Sequence, residues 1–257
     1  GRVARAGRRP AEPPGRLFSP VAFEGSPAQP QIRVLLEDRA GRVWAGGRSG
    51  LFELNRSASA PSFRPVVPRP AALITSLAEG TDGGMGMGTL EGLFQRSASG
   101  DVLPDPTAAR AAIRNIRALA LDHDGRLWVG HDGGLLVLGS AAAGQLASAT
   151  PRQLRPCGTG PSGQRRLRLP TGSDDACTMT LDDGLVDQRV RALAVGSDGR
   201  VRVGTVAALS DIEGEQTTSV IRTQGLGDAI NAVSEDQDGN LWIGTDSSGA
   251  VRVATFG

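Results

Sequence analysis

A repeat constrains this chain more than any other feature. When the segments beginning at Ile32, Ile74, Ile116, Val190 and Ile230 are laid over one another they align almost without gaps, as IRVLLEDRAGRVWAGGRSGLFEL, ITSLAEGTDGGMGMGTLEGLFQR, IRALALDHDGRLWVGHDGGLLVL, VRALAVGSDGRVRVGTVAALSDI and INAVSEDQDGNLWIGTDSSGAVRV. Their turn glycines Gly41, Gly83, Gly125, Gly199 and Gly239 are separated by steps of 42, 42, 74 and 40 residues. A period of this length marks a unit that cannot bury both of its own faces and must stack on its neighbours. Each copy reads as a short apolar strand, a polar turn ending in Gly, a second strand such as Leu127-Trp128-Val129, a small-residue turn and a third strand. The turn glycine supplies the positive φ of a tight or bulged hairpin, and the aspartates before it can bond back to the turn's own amides.

Segments between copies, such as Leu17 to Phe23 and Cys177 to Thr180, are expected to add a fourth, outer strand. Four antiparallel strands in forty-odd residues is the size of one β-propeller blade. The expected fold is therefore all-β, a propeller of four-stranded antiparallel blades with five repeats visible. Gly46, Gly88, Gly130, Gly204 and Gly244 recur where strands of adjacent blades must approach closely. Trp44, Trp128 and Trp242 share one repeat position, with Gly86 and Arg202 in their place in the other two copies. A wedge between blades is the expected role of these rings, and ligand stacking the alternative. Because residues 17–23 precede the first copy and the last copy stops after its third strand at residues 251–254, the two ends are expected to complete one shared blade, which would remove exposed sheet edges.

The 74-residue step holds an insertion at about residues 140–176, which lacks an apolar first strand and reads as a long loop. Cys157 and Cys177 lie in and beside it, and a disulfide and two free thiols both remain open. Residues 1–16 hold Arg2, Arg5, Arg8, Arg9 and Arg16 against Glu12 alone, among Pro and Gly, and read as a disordered or linker segment. Residues 17–257 form the propeller. Over the whole chain 28 basic and 27 acidic side chains leave a net charge of +1, which argues against a nucleic-acid partner. There is no run of 18 apolar residues, and no apolar stretch follows the basic N-terminus, so neither a membrane segment nor a signal peptide is expected within the chain. A start without Met reads as that of a fragment.

The only histidines, His123 and His131, have no Cys partner nearby, and no metal or cofactor is expected. The D-x-D-G turns resemble the opening of a calcium loop, but Gly125 is followed by Arg126 and Leu127, so a hairpin turn is the reading taken. Binding residues are sought instead at the position just after each first-strand opening: Arg33, Thr75, Arg117, Arg191 and Asn231. In a propeller the innermost strands surround the axis, so these positions would bring three guanidiniums to one mouth of the central channel, where their planar forks suit carboxylates and phosphates. The loops between second and third strands add Arg48, Glu91, His131 and Asp246. The expected ligand is anionic or polyhydroxylated. The competing reading pairs the arginines with acidic residues of neighbouring blades such as Asp187 or Asp228. No Ser-His-Asp or Cys-His arrangement can be drawn from two histidines, and no catalytic residue is assigned.

Taken together, the copies resemble the two-component regulator propeller repeat over about residues 17–257. The hallmark stands as Asp122-His123-Asp124-Gly125 through Trp128, Gly130 and Gly134-Leu135, and as Asp236-Gln237-Asp238-Gly239 through Trp242 and Gly244-Thr245, with Asp183-Gly184-Leu185 and Gly225-Leu226 leading into first strands. The second and fourth copies lack the Trp, and the fourth has Ala208-Leu209 in place of Gly-Leu. The resemblance implies a ligand-binding sensor in the periplasmic or extracytoplasmic part of a bacterial two-component or cyclic-dinucleotide signalling receptor, in a ring usually of seven blades. It implies as partners a small-molecule or oligosaccharide ligand and an output signalling domain of the same polypeptide, with a homodimer left open. Streptogramin-lyase-like propeller enzymes use repeats of similar length, but look for an aromatic-Thr-Glu after the Trp where this chain has Val129-Gly130-His131 and Ile243-Gly244-Thr245. That enzyme and a plain protein-interaction platform are the alternatives.

Overall fold

The computed structural model describes residues 20–25, 30–57, 60–66, 72–80, 82–139, 153–159, 166–220 and 228–253. The segment read as a linker, residues 1–16, lies outside them, as do residues 17–19 of the expected outer strand. Five blades follow one another. Blade I holds β1 (Ala22–Phe23), β2 (Ile32–Glu37), β3 (Val43–Gly47), β4 (Gly50–Asn55) and β5 (Ser62–Pro65); blade II holds β6 (Ile74–Glu79), β7 (Met85–Thr89), β8 (Leu93–Arg96) and β9 (Val102–Pro104). A five-residue helix, α1 (Pro106–Arg110), opens on an Asp105 cap whose carboxylate accepts from the Ala108 amide, with Pro106 in its first turn. Blade III is built from β10 (Ile116–Leu121), β11 (Leu127–His131) and β12 (Gly134–Leu138). Within the insertion come β13 (Gln153–Pro156), β14 (Gly158–Thr159) and β15 (Arg166–Leu167), then β16 (Asp175–Met179), which is blade III's fourth strand. Blade IV holds β17 (Val190–Val195), β18 (Val201–Thr205), β19 (Leu209–Glu213) and β20 (Gln216–Val220), and blade V β21 (Ile230–Glu235), β22 (Leu241–Thr245) and β23 (Ala250–Val253).

The innermost strands pack along one another in order, β2 on β6, β6 on β10, β10 on β17 and β17 on β21. Apolar clusters fill each seam: Trp44 and Leu51 with Ile74, Leu77, Met85 and Met87 between blades I and II, and Trp128, Leu135 and Val137 with Val190, Val201 and Val203 between III and IV. With few aromatics, this packing relies on backbones that come close. A Cβ on Gly88 would stand 2.5 Å from Ile116 Cγ2, and one on Gly130 2.5 Å from Val190 Cγ1.

Each Trp copy is bracketed by an aspartate six residues earlier. The indole Nε1 donates to Asp38 at 2.9 Å in blade I and to Asp122 and Asp236 at 2.8 Å in blades III and V. The same carboxylates accept from turn amides and from Arg42, Arg126 or Asn240, so their oxygens are spent inside the hairpin. Where the Trp is missing the Asp is missing too: blade II has Gly80 and Gly86, and blade IV has Gly196 and Arg202. Arg202 lies buried across the IV–V seam and pairs with Asp198 at 2.9 Å and Glu235 at 3.0 Å.

These bonds have a pH signature. The Trp242 indole, aided by the Asn240 amides, holds the Asp236 carboxyl down to about 2, below its ordinary 3.8. A depressed folded value contributes stability above the unfolded pKa and loses it as pH falls through the folded one. The melting temperature is therefore expected to fall between about pH 4 and pH 2, and Asp236→Asn should flatten that limb, as read by thermal melts across the range.

Two expectations are corrected. β1 pairs in parallel with β5, Ala22 opposite Ser62 and Phe23 opposite Phe63, at the outer edge of blade I, not beside β23. Phe23 stacks on Phe63 and meets Phe52 edge-on, which draws this segment to the aromatic outer side of blade I. The insertion, read as a loop, carries strands: β13 adds in parallel outside β16, and β14 with β15 makes a small ribbon. Cys157 and Cys177 are joined in a disulfide and fully buried against Trp128 and Leu135.

Candidate functional site

The inner strand of every blade carries a β-bulge at the same place. Ile32 faces Gly47 while Val34 faces Gly46, so Arg33 has no place in the ladder; Thr75, Arg117, Arg191 and Asn231 are skipped in the same way in blades II to V. A bulge bends its strand and re-aims the extra side chain. Here it turns the five residues toward the axis, where they line one cavity of about 450 Å³ together with Leu73, Asp132, Arg189 and Val206. All five blades contribute.

The mouth is electrostatically uneven. Arg33 has no hydrogen-bond or ion-pair partner among the described residues, and the Arg48 side chain has none. Arg117 faces Asp132 of its own blade at 3.6 Å, with both groups partly open to solvent. Arg191 donates to Asn231 at 2.9 Å and lies 3.2 Å from Asp246, while the Asn231 amide donates to Asp246 as well, a lattice that spans blades IV and V. Arg189 is held by Asp187 at 3.2 Å, which raises the guanidinium and lowers the carboxyl. The Thr75 hydroxyl reaches the carbonyls of Gly88 at 2.9 Å and Ile116 at 2.6 Å and so is spent on stitching blades II and III. The side near blade I thus offers unspent positive charge, and the side near blade V a preformed polar network.

The loop residues divide. Asp246 joins the mouth network, whereas Glu91 borders a separate small hollow with Leu93, Pro104 and Ile113, and its carbonyl accepts from Arg114 at 2.8 Å. His131 Nδ1 accepts from the Gly133 amide at 3.1 Å, and burial lowers the pKa of its ring. The acidic residues of the competing reading pair with none of Arg33, Arg117 and Arg191 among the described residues. Asp187 takes Arg189, and Asp228 accepts from the hydroxyl and amide of Ser247, which holds it down to about 2. Arg189 and Asp132 were missed because neither falls on the bulge; the signal available was their place immediately before an inner strand and immediately after a second strand.

The family described as the two component regulator propeller matches residues 112–133 and 224–247, the openings of blades III and V. These segments are two component regulator propeller repeats. The chain also resembles solved structures at identities that show the fold alone. An extracellular domain assigned to a hybrid two component system of B. thetaiotaomicron superposes with a TM-score of 0.63 at 14% identity, over 85% of this chain and 27% of that one. A catalytically inactive virginiamycin B lyase from Staphylococcus aureus, with quinupristin, gives 0.59 at 12% identity, over 88% of this chain and 71% of the lyase. PorZ, a surface component of the type-IX secretion system of Porphyromonas gingivalis, gives 0.51 at 15% identity, over 87% and 32%. The chain thus spans about a quarter of the first of these and a third of the last. No curated protein matches it. Among the described residues no helix is long and apolar enough to cross a membrane.

Proposed function

We propose that this propeller is the ligand-binding sensor portion of a bacterial signalling receptor and takes an anionic small molecule or acidic oligosaccharide at the channel mouth. The observation that carries this reading is the convergence of Arg33, Arg117, Arg189 and Arg191 from three blades on one cavity, with Arg33 unpartnered among the described residues. Guanidinium forks bind carboxylates, sulfates and phosphates in two-pronged fashion, and they stay charged at any physiological pH. The same permanence argues against catalysis there: guanidiniums do not exchange protons near neutrality, and the one carboxylate in the lining, Asp132, faces Arg117. An extracytoplasmic placement is supported by the buried disulfide, since such bonds persist in oxidising compartments. Occupancy would reach an output domain as a population shift, limited by the ligand's difference in affinity between two arrangements of the blades.

The test is calorimetric titration with simple dicarboxylates and with uronate-bearing and sulfated oligosaccharides, with neutral sugars as controls. Arg33→Ala and Arg117→Ala are each expected to weaken a bound anion by roughly tenfold or more, from the 1.5–3 kcal/mol carried by a charge-assisted hydrogen bond. A panel in which nothing binds, or an affinity that both variants leave unchanged, overturns the reading.

A further inference from the structure

Every blade pairs its bulge residue with a second position, the residue that follows the second strand. The first residue of each inner strand faces the last residue of the second, and the next residue along is Arg48, Leu90, Asp132, Val206 or Asp246 in blades I to V. A backbone bond pins this position beside the bulge. The amide of Arg48 donates to the Gln31 carbonyl at 3.1 Å, that of Val206 to Arg189 at 3.3 Å and that of Asp246 to Ala229 at 3.0 Å, each acceptor standing two residues before the bulge. Asp132 and Val206 line the cavity itself. Where the two side chains are complementary they meet within the blade: Arg117 lies 3.6 Å from Asp132, and the Asn231 amide donates to Asp246. Blade I is different. Its two positions are Arg33 and Arg48, both exposed, and two guanidiniums can neither hydrogen-bond each other nor shed a proton. Bulge residues also reach the following blade, as Thr75 reaches Ile116 and Arg191 reaches Asp246. Blade II offers Arg33 no acid at either position, only Leu90 and a Thr75 hydroxyl that is already bonded. The other guanidiniums of the mouth each have a carboxylate: Asp132 for Arg117, Asp187 for Arg189 and Asp246 for Arg191. The uncompensated positive charge therefore sits on the hairpin of blade I.

Building on the reading of the mouth as an anion site, we infer that Arg33 and Arg48 form a clamp for one anionic group, and that the ligand is a hydroxylated acid charged at a single end, such as a sugar acid. A carboxylate between the two guanidiniums accepts from both forks and screens their repulsion in the same step. The rest of such a molecule reaches toward blades III and V. There the half-exposed Asp132 carboxylate can accept from its hydroxyls, whereas a second anion would meet the like charges of Asp132 and Asp246. The mouth is thus polar in one direction, with the acid end at blade I.

The test is calorimetric titration with gluconate, glucarate and sorbitol, which share a carbon skeleton and differ in carrying a carboxylate at one end, at both or at neither. A glucuronate-ended disaccharide distinguishes a free acid from the end of a chain. Gluconate, the disaccharide or both should bind roughly tenfold or more tighter than sorbitol, and glucarate should bind more weakly than gluconate despite its higher charge. Arg48→Ala should weaken the bound acid by about tenfold, as Arg33→Ala does, and the double variant should lose less than the product of the two, because both side chains hold the same group. Asp132→Asn should raise the affinity for glucarate several-fold and so narrow its gap to gluconate. Both arginines are exposed, so their variants should melt with the parent chain. Glucarate bound more tightly than gluconate by the parent chain, or an Arg48→Ala that leaves the acid's affinity unchanged while Arg33→Ala weakens it, overturns the inference and leaves the mouth an anion site. Losses that multiply in the double variant, or a glucarate affinity unmoved by Asp132→Asn, also overturn it. No binding by any of the four compounds, or binding indifferent to Arg33→Ala, overturns the mouth reading and the inference together.

Discussion

Trp128→Ala should lower the unfolding free energy by about 4 kcal/mol, in the range found when a buried aromatic is truncated in a packed core. The ring is fully buried in the seam between blades III and IV, against Leu135, Val137, Val190 and Val203, and its removal leaves a cavity that two sheets cannot both relax into. It also takes away the Nε1 donor of Asp122, a buried carboxylate left with Arg126 and turn amides. Trp242→Ala removes the same atoms and the same bond to Asp236 from a half-open face, where about 1 kcal/mol is expected from the smaller area returned to water. Denaturant unfolding with equal m-values for the two variants reads the difference as stability. A Trp242→Ala as damaging as Trp128→Ala would mean that the blade V face is covered.

The second large effect concerns the disulfide. Cys157 and Cys177 close a loop across a sequence separation of 20 residues, and both are fully buried. The loop-closure model assigns a link of that span about 3 kcal/mol, through the entropy it removes from the unfolded chain. The double variant Cys157→Ala and Cys177→Ala is expected to lose that amount, with alanine chosen because a serine hydroxyl would be stranded in an apolar site. The loss should be read as a lower denaturant midpoint in the variant and, equally, in the parent chain under strong reductant. The Cys157 amide donates to Thr178, and the ribbon bonds onward from Leu167 to Glu215 of blade IV, so protection from hydrogen exchange should fall first in β13 to β15.

The sequence alone carried the blades and their order, because a period near 42 residues with a glycine at each turn admits few folds. It also carried Arg33, Thr75, Arg117, Arg191 and Asn231 to one mouth, since equivalent positions in a ring must meet at the axis. What it could not carry was partner choice. Whether Arg191 would find Asp187, Asp228 or Asp246 depends on loop paths a few residues long, and Asn231 decides it by bridging to Asp246. The attachment of residues 22–23 to β5 depends on Phe23 meeting Phe52 and Phe63, a packing match invisible to strand periodicity. The paired loss of Asp and Trp in the second and fourth copies was legible, since Gly80 accompanies Gly86 and Gly196 accompanies Arg202. That pairing marks the indole as a hydrogen-bonded structural post.

The bulge in each inner strand has a consequence for how such a protein can change. A residue that stands outside the ladder takes no part in the strand pairing, so its side chain answers to the mouth more than to the sheet, even where Thr75 bonds across to blade III and Arg191 and Asn231 bridge blades IV and V. Five such residues in register make a short alphabet written around a fixed frame, here Arg, Thr, Arg, Arg and Asn. A single substitution can respell the mouth while the frame keeps its shape, so lineages with this scaffold can drift in what the mouth accepts without first having to solve folding again.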